Sequence, residues 1–386
     1  MDNIAKITER YYGIDFLKML SMFMVVVLHI LGQGGVLKAV SFGSSQFYIA
    51  WFLEIASLCA VNAFALATGF LMVGRKVKYR KIFELWLIVQ FYNIIFFVID
   101  VIILKSDITF DKILTFVPVF FSQFWYFTAY FCLFFFIPFI NILIDNTSKK
   151  SHYTLIITGF LLFSLSVIIF KKDPFSIKGG YSTWWLIYLY FVGAAIRKYN
   201  LFSKISKNKC IIGYFITVGI TYIIKCLTKM VDLYDLGFIG KGVSFFGLCF
   251  DEYSSPFVLA SAVFLLLFCL KLKIPNTFTI AFSRIQPFIF QVYIIHLHYL
   301  IWDGFIKDRF SGYALQPCVL LVVYVIGTAL GVFLTCVLID IIRSSLFKLL
   351  RINKILNILS DKISEIYSNS KLRKNLIVWF NDRIGI

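Results

Sequence analysis

Lys18 and His29 stand in one apolar run, residues 14–36 (IDFLKMLSMFMVVVLHILGQGGV), with ten residues between them. The run is long enough to cross a bilayer. A lysine at one rim and an imidazole deep in hydrocarbon are costly there, so each needs a partner or a task. An imidazole titrates near working pH. It can take a proton from a hydroxyl or thiol attacking an acyl carbonyl, or carry the acyl group itself. Two further ionisable groups fall at similar depth. At about 1.5 Å per residue, His29 lies roughly 10 Å from the outer end of the first span, Glu54 roughly 12 Å into the second and His296 roughly 9 Å from the outer end of the ninth. Gln123 and Trp125 fall in the same layer of the fourth. His29, His296 and Glu54 are therefore the candidate catalytic residues, with Glu54 able to orient either imidazole. Gln123 and Trp125 are candidate substrate contacts. His298 reads equally well as a site residue or a packing residue, and His152, at a cytosolic helix start, reads as structural or solvated.

A second constellation is basic. Arg75, Lys76, Lys78, Arg80 and Lys81 occur in VGRKVKYRKIFE between the second and third spans. Lys18 and Arg284 sit at the inner ends of the first and ninth. Basic side chains converging on a cytosolic mouth suit a phosphorylated donor. The same loop charges are also expected for orientation alone. Lys18, Arg75, Arg80 and Arg284 are the candidate donor-binding residues. On the outer side, Asp232, Asp235, Asp251 and Glu252 make an acidic loop among glycines and aromatics. Acids beside aromatics can grip carbohydrate, whereas Trp184 and Trp185 read as an ordinary interfacial belt.

The elements that must hold these groups are membrane helices. The chain is 60% hydrophobic and 15% charged, with 45 Phe in 386 residues. Soluble domains carry about 25% charged residues, so a soluble fold is excluded. Apolar segments near 14–36, 46–73, 82–104, 114–144, 152–170, 182–199, 210–230, 253–272, 281–302 and 314–342 predict an all-α polytopic bundle of about ten transmembrane helices. A further short or re-entrant helix is conceivable in 231–252. With the N-terminus in the cytosol, 27 of the 38 Lys and Arg fall on the inner side and 11 outside. That asymmetry favours an even number of spans and two cytosolic termini. The net charge of +18 then reads as topology and attraction to anionic headgroups, not nucleic-acid binding. The polar N-terminus lacks a small-residue cleavage site, so no cleaved signal peptide is expected. Eight scattered cysteines without a Cys-x-x-Cys predict neither a disulfide nor a zinc site. Residues 1–347 form the membrane domain. Residues 348–386 read as a cytosolic tail whose LLRINKILNILSDKISEIY has the spacing of an amphipathic helix lying on the membrane.

The run from Ile14 to His29 resembles the opening helix of the acyltransferase-3 family, which has Ile-Asp-x-x-Arg/Lys, ten residues, then His. Phe64-Ala-Leu-Ala-Thr-Gly-Phe-Leu71 is similar to that family's Phe-x-x-Ser-Gly-Phe-Leu, with Thr68 for Ser, and the basic run follows it. Phe124-Trp125-Tyr126-Phe127, Phe191-Val192-Gly193 before Arg197, and Tyr293-Ile-Ile-His296 resemble its later motifs. The likeness spans roughly residues 10–345. It implies an integral membrane acyltransferase that takes an acyl group, most often acetyl, from acyl-coenzyme A at the cytosolic side. The acceptor would be a hydroxyl of a cell-envelope polysaccharide or its lipid-linked precursor, in a bacterial plasma membrane. It implies that His29 is the essential residue, that Lys18 binds donor or is structural, and that Arg75 and Arg80 contact coenzyme A. Lys18 departs from the commoner arginine and cannot grip phosphate bidentately. No appended esterase-like outer domain is expected. Two other classes fit the pattern less well: a glycan transporter or flippase, which should show inverted repeats and broken helices, and a glycan polymerase built on the acidic outer loop.

Overall fold

The computed structural model describes residues 10–121, 123–234 and 250–369. Its regular structure is helical throughout. Helix α1 (Tyr12–Leu31) carries Lys18, Met22, Val25 and His29 at i, i+4, i+7 and i+11, which is one helical face. Helices α2 (Ser45–Ser57) and α3 (Ala60–Met72) form one span with a turn at Leu58 and Cys59. Helix α4 (Arg80–Val98) runs on through a π-helical turn to Ile103. Then come α5 (Trp125–Asp145), α6 (Lys149–Phe160), which extends through wider turns to Phe170, α7 (Thr183–Lys198) and α8 (Lys207–Tyr234). Helix α9 (Pro256–Leu270) follows. Helices α10 (Asn276–Ile285) and α11 (Ile289–His296) join through a tight turn containing Pro287, where the missing N–H breaks the ladder. Helix α12 (Cys318–Leu349) and the tail helix α13 (Ile352–Asn369) end the described chain.

Each of the ten apolar segments contains a helix, but not all have the expected length. Among the described residues, eight helices are long and apolar enough to cross a membrane. Helices α7 and α9, at 16 and 15 residues, are shorter. The fourth helix also starts at Trp125, not near 114; residues 115–121 form turns. The proposed boundary at 347/348 falls in the last turn of α12, and α13 docks on the start of α4. There Leu356 and Ser360 are buried, while Ile355, Ile358 and Leu359 face outward. Asp235 and most of the 231–252 segment lie outside the described residues. Seven described cysteines are free.

Small residues let the central helices approach. A Cβ on Gly69 would lie 2.2 Å from the Tyr190 carbonyl oxygen, and one on Gly193 would lie 2.2 Å from that of Leu66. The two glycine motifs of α3 and α7 thus pack against each other's backbone. Side-chain bonds lock the crossing at both ends. Trp185 Nε1 donates to Asn62 Oδ1 (2.9 Å), whose amide donates to the Tyr253 carbonyl (2.7 Å). At the other end Arg197 donates to the carbonyls of Phe70 and Leu71 (3.0 and 3.3 Å), and Asn141 donates to that of Met72 (3.0 Å). Buried polar groups without such partners would cost several kcal/mol each in hydrocarbon. Helix α12 closes the bundle through a buried bidentate pair of Arg343 and Asp340 (2.7 Å), with Tyr92 of α4 donating to Asp340 (2.6 Å). Its other face, with Val319, Leu338 and Ile342, is exposed because its solvent is lipid.

Candidate active site

The bend before α11 turns His296 toward α1. His29 Nδ1 and His296 Nε2 are 2.9 Å apart. The other nitrogen of His296, Nδ1, bonds the Val292 carbonyl one turn back. A carbonyl only accepts, so His296 Nδ1 carries the hydrogen and its Nε2 holds the lone pair. His29 Nδ1 must then donate to it, which leaves a lone pair on His29 Nε2. These tautomers are assigned from the hydrogen-bond network. Trp302 meets the His29 ring edge-on at 5.3 Å.

His296 is fully buried, whereas His29 lines a cavity of about 240 Å³. The cavity runs along the face of α1 from His29 back to Lys18, three helical turns or about 16 Å away. Trp125, Tyr126, Tyr253 and Tyr293 form an aromatic wall. Trp125 stacks on Tyr253 at 6.0 Å, and Tyr181 approaches it at 4.5 Å. The backbone N–H of Tyr126 donates to the Tyr293 hydroxyl oxygen (3.2 Å), so that hydroxyl proton is free for another acceptor. One chamber therefore holds an ammonium at one end and an unprotonated imidazole nitrogen further along, with phenols beside it.

The remaining candidates are placed elsewhere. Glu54 bonds neither imidazole. One oxygen lies 3.9 Å from where a Cβ on Gly32 would sit, just beyond α1, and Oε2 is buried without a hydrogen-bond partner. Helix α2 is rotated toward α8, where Tyr214 and Tyr222 donate to the Ala56 and Tyr48 carbonyls (2.6 and 3.1 Å). The charges that act on Glu54 are those of the Lys225–Asp251 pair, itself 2.6 Å apart. The orienting contacts expected of Glu54 come instead from His296 and Val292. Gln123 shares its amide with Asn93 (3.1 and 3.3 Å) and does not line the cavity. Of the basic set, only Lys18 lines it. Arg80 donates to Asn353 of the tail helix (2.8 Å), the carbonyl of Arg75 accepts from Asn141 (3.3 Å), and Arg284 is exposed on the last turn of α10. His152 bonds Tyr199 and the Phe191 carbonyl, and His298 packs on Phe96 at 4.5 Å. Tyr126 and Tyr293 carried a signal in the motifs around Trp125 and His296. Tyr253, across the site, carried none.

The sequence model of an acyltransferase domain, acyltransferase-3, matches residues 11–340. The chain belongs to the acyltransferase-3 family. The match takes in α1 to α11 and most of α12, including every residue that lines the Lys18–His29 cavity. The protein is thus a multi-pass membrane acyltransferase by family. No curated protein gives a significant match, and neither does any solved structure.

Proposed function

We propose that this acyltransferase moves an acetyl group from acetyl-coenzyme A to a hydroxyl of a cell-envelope polysaccharide or its lipid-linked precursor. The observation that carries this reading is the shared chamber of Lys18 and His29. The donor enters from the Lys18 end, where an ammonium offsets phosphate charge. The acceptor enters beside Trp125, whose flat face suits a sugar ring. His29 Nε2 takes the hydroxyl proton as the oxygen bonds the acyl carbon. The thioester C–S bond breaks, and the proton passes from His29 to the leaving thiolate. His296 accepts from His29 Nδ1 throughout and keeps Nε2 free. A general base in such a position contributes about 10²- to 10⁴-fold in rate.

The test is mass spectrometry of surface glycans from cells lacking the gene, complemented with wild type or His29→Ala. The expected result is the mass increment of one acetyl group replacing one hydroxyl hydrogen, present with wild type and lost with His29→Ala at equal protein level. Glycan that keeps the increment with His29→Ala sinks the catalytic assignment. Glycan that is lost or trapped inside the cell, with acylation unchanged, points to a transporter or polymerase instead.

A further inference from the structure

A groove of about 650 Å³ runs between α6, α7 and α9, away from the His29 chamber and sharing no residue with it. Its walls are apolar: Ile157 and Phe160 from α6, Val192 from α7, Ala260, Val263 and Phe264 from α9. It exists because α6 touches the bundle closely at few points. One is Gly159, where a Cβ would lie 2.7 Å from the Tyr188 ring. Elsewhere α6 stands off, and apolar side chains such as Ile157 are 59% exposed.

At one end the groove shares Ile196, Leu201, Phe202 and Leu267 with a second cavity of about 280 Å³. This one is basic and polar, with Arg197, Asn200, Ser203 and Lys271 in its walls. Lys271 Nζ donates to the Ser203 carbonyl (2.9 Å), which uses one of three protons. The Arg197 guanidinium is fixed between Tyr11 and Phe70, 5.4 and 5.5 Å from their ring centres. Two half-buried cations therefore stand at the mouth of an apolar slot. They lie at the end of the bundle that carries the start of α1 and the basic 75–81 loop.

We propose that the two cavities form one binding site for an anionic phospholipid. An acyl chain fills the groove between α6, α7 and α9, and the phosphate sits at Arg197 and Lys271. A lipid-facing groove without a chain forfeits dispersion contacts on both walls. Basic pockets between membrane helices favour acidic headgroups. The joining of the two cavities selects a ligand with both parts, which free phosphate lacks. Such a lipid ties α6 to the central helices.

The test is native mass spectrometry of the delipidated full-length protein. It is titrated with phosphatidylglycerol, with phosphatidylcholine of the same chains, with a polyprenyl phosphate, and with inorganic phosphate as competitor. One phosphatidylglycerol should bind about fivefold tighter than phosphatidylcholine, the scale of a single basic side chain near an anionic surface. Lys271→Gln should erase that preference while phosphatidylcholine binding is unchanged. Ala260→Trp, which fills the groove, should weaken both lipids. Inorganic phosphate should not displace phosphatidylglycerol. Equal affinity of the two phospholipids for wild type overturns the proposal, as does an unchanged preference in Lys271→Gln. Displacement by free phosphate, or by polyprenyl phosphate at equal concentration, also overturns it; the latter would assign the groove to a lipid-linked substrate. If Ala260→Trp does not fold, Lys271→Gln still decides.

Discussion

His29 depends on a neighbour that stays out of the chamber. With His296 Nε2 accepting from His29 Nδ1, the His29 lone pair is fixed at Nε2. Without that acceptor the ring can adopt the other tautomer, whose Nε2 carries hydrogen and cannot act as a base. His296→Leu should therefore lower kcat by about 10²- to 10⁴-fold, the span of general-base contributions, with little change in KM for the acyl donor. His296→Gln offers an amide oxygen to the same N–H and should recover much of the loss. Steady-state kinetics on purified protein checks both, and equal kcat for the two variants would remove the tautomer argument. This pairing was only half legible in the sequence. Helical rise gives the depth of a residue, and His29, His296 and Glu54 matched in depth. Rotation about the helix axis is set by packing, and it brings His296 to His29 while it sends Glu54 toward Gly32. Nor does loop basicity distinguish ligand contacts from orientation signals: Arg80 has the charge expected of a donor contact, and in the fold it bonds Asn353.

Between elements, α3 and α7 meet in a tight glycine crossing at Gly69 and Gly193. Alanine favours an isolated helix over glycine by about 1 kcal/mol. At Gly69 the added carbon would meet a backbone carbonyl oxygen at 2.2 Å, and that oxygen cannot move unless α3 and α7 separate. The steric term should win, since overpacking commonly costs about 1–3 kcal/mol. Gly69→Ala should lower the thermal midpoint and the yield of monodisperse protein. Gly219→Ala is the control: Gly219 is helical in α8 with nothing within 4 Å of its Cβ position, so the change should be neutral or stabilising. Fluorescence-detected size exclusion after a heating series measures both, and the crossing would be shown to be loose if the two variants melt together. The sequence marked Gly69 and Gly193 as parts of two separate motifs. It could not say that each motif is the other's partner, because contacts between distant segments leave no trace in local composition.

For the whole molecule, the two short helices decide the topology. At about 1.5 Å per residue, α7 and α9 are about 24 and 22 Å long, less than the roughly 30 Å of hydrocarbon. Eight or ten crossings both place the termini on one side, so the termini alone do not discriminate. The contacts of α7 do. Tyr181, just before it, packs on Trp125 at the start of α5, and Lys198 at its end donates to the Ile144 carbonyl (2.6 Å) at the end of α5. Helix α5 has 21 residues and the length of a full span, so α7 runs between the same two levels. Helix α9 behaves alike: Tyr253 before it stacks on Trp125, and the Cys269 carbonyl near its end abuts Gly13 at the start of α1. Both helices should cross, with interior packing and short flanking segments making up the missing length. An epitope inserted between Ser203 and Lys204 should then be reached by antibody only after spheroplasts are permeabilised, as should one at the C-terminus. If the inserted epitope is detected on intact spheroplasts while the C-terminal one is not, α7 does not cross and the bundle has eight spans. In that case the end of α7 with Arg197 would lie on the outer side of the membrane, opposite the leaflet to which its charge assigns it.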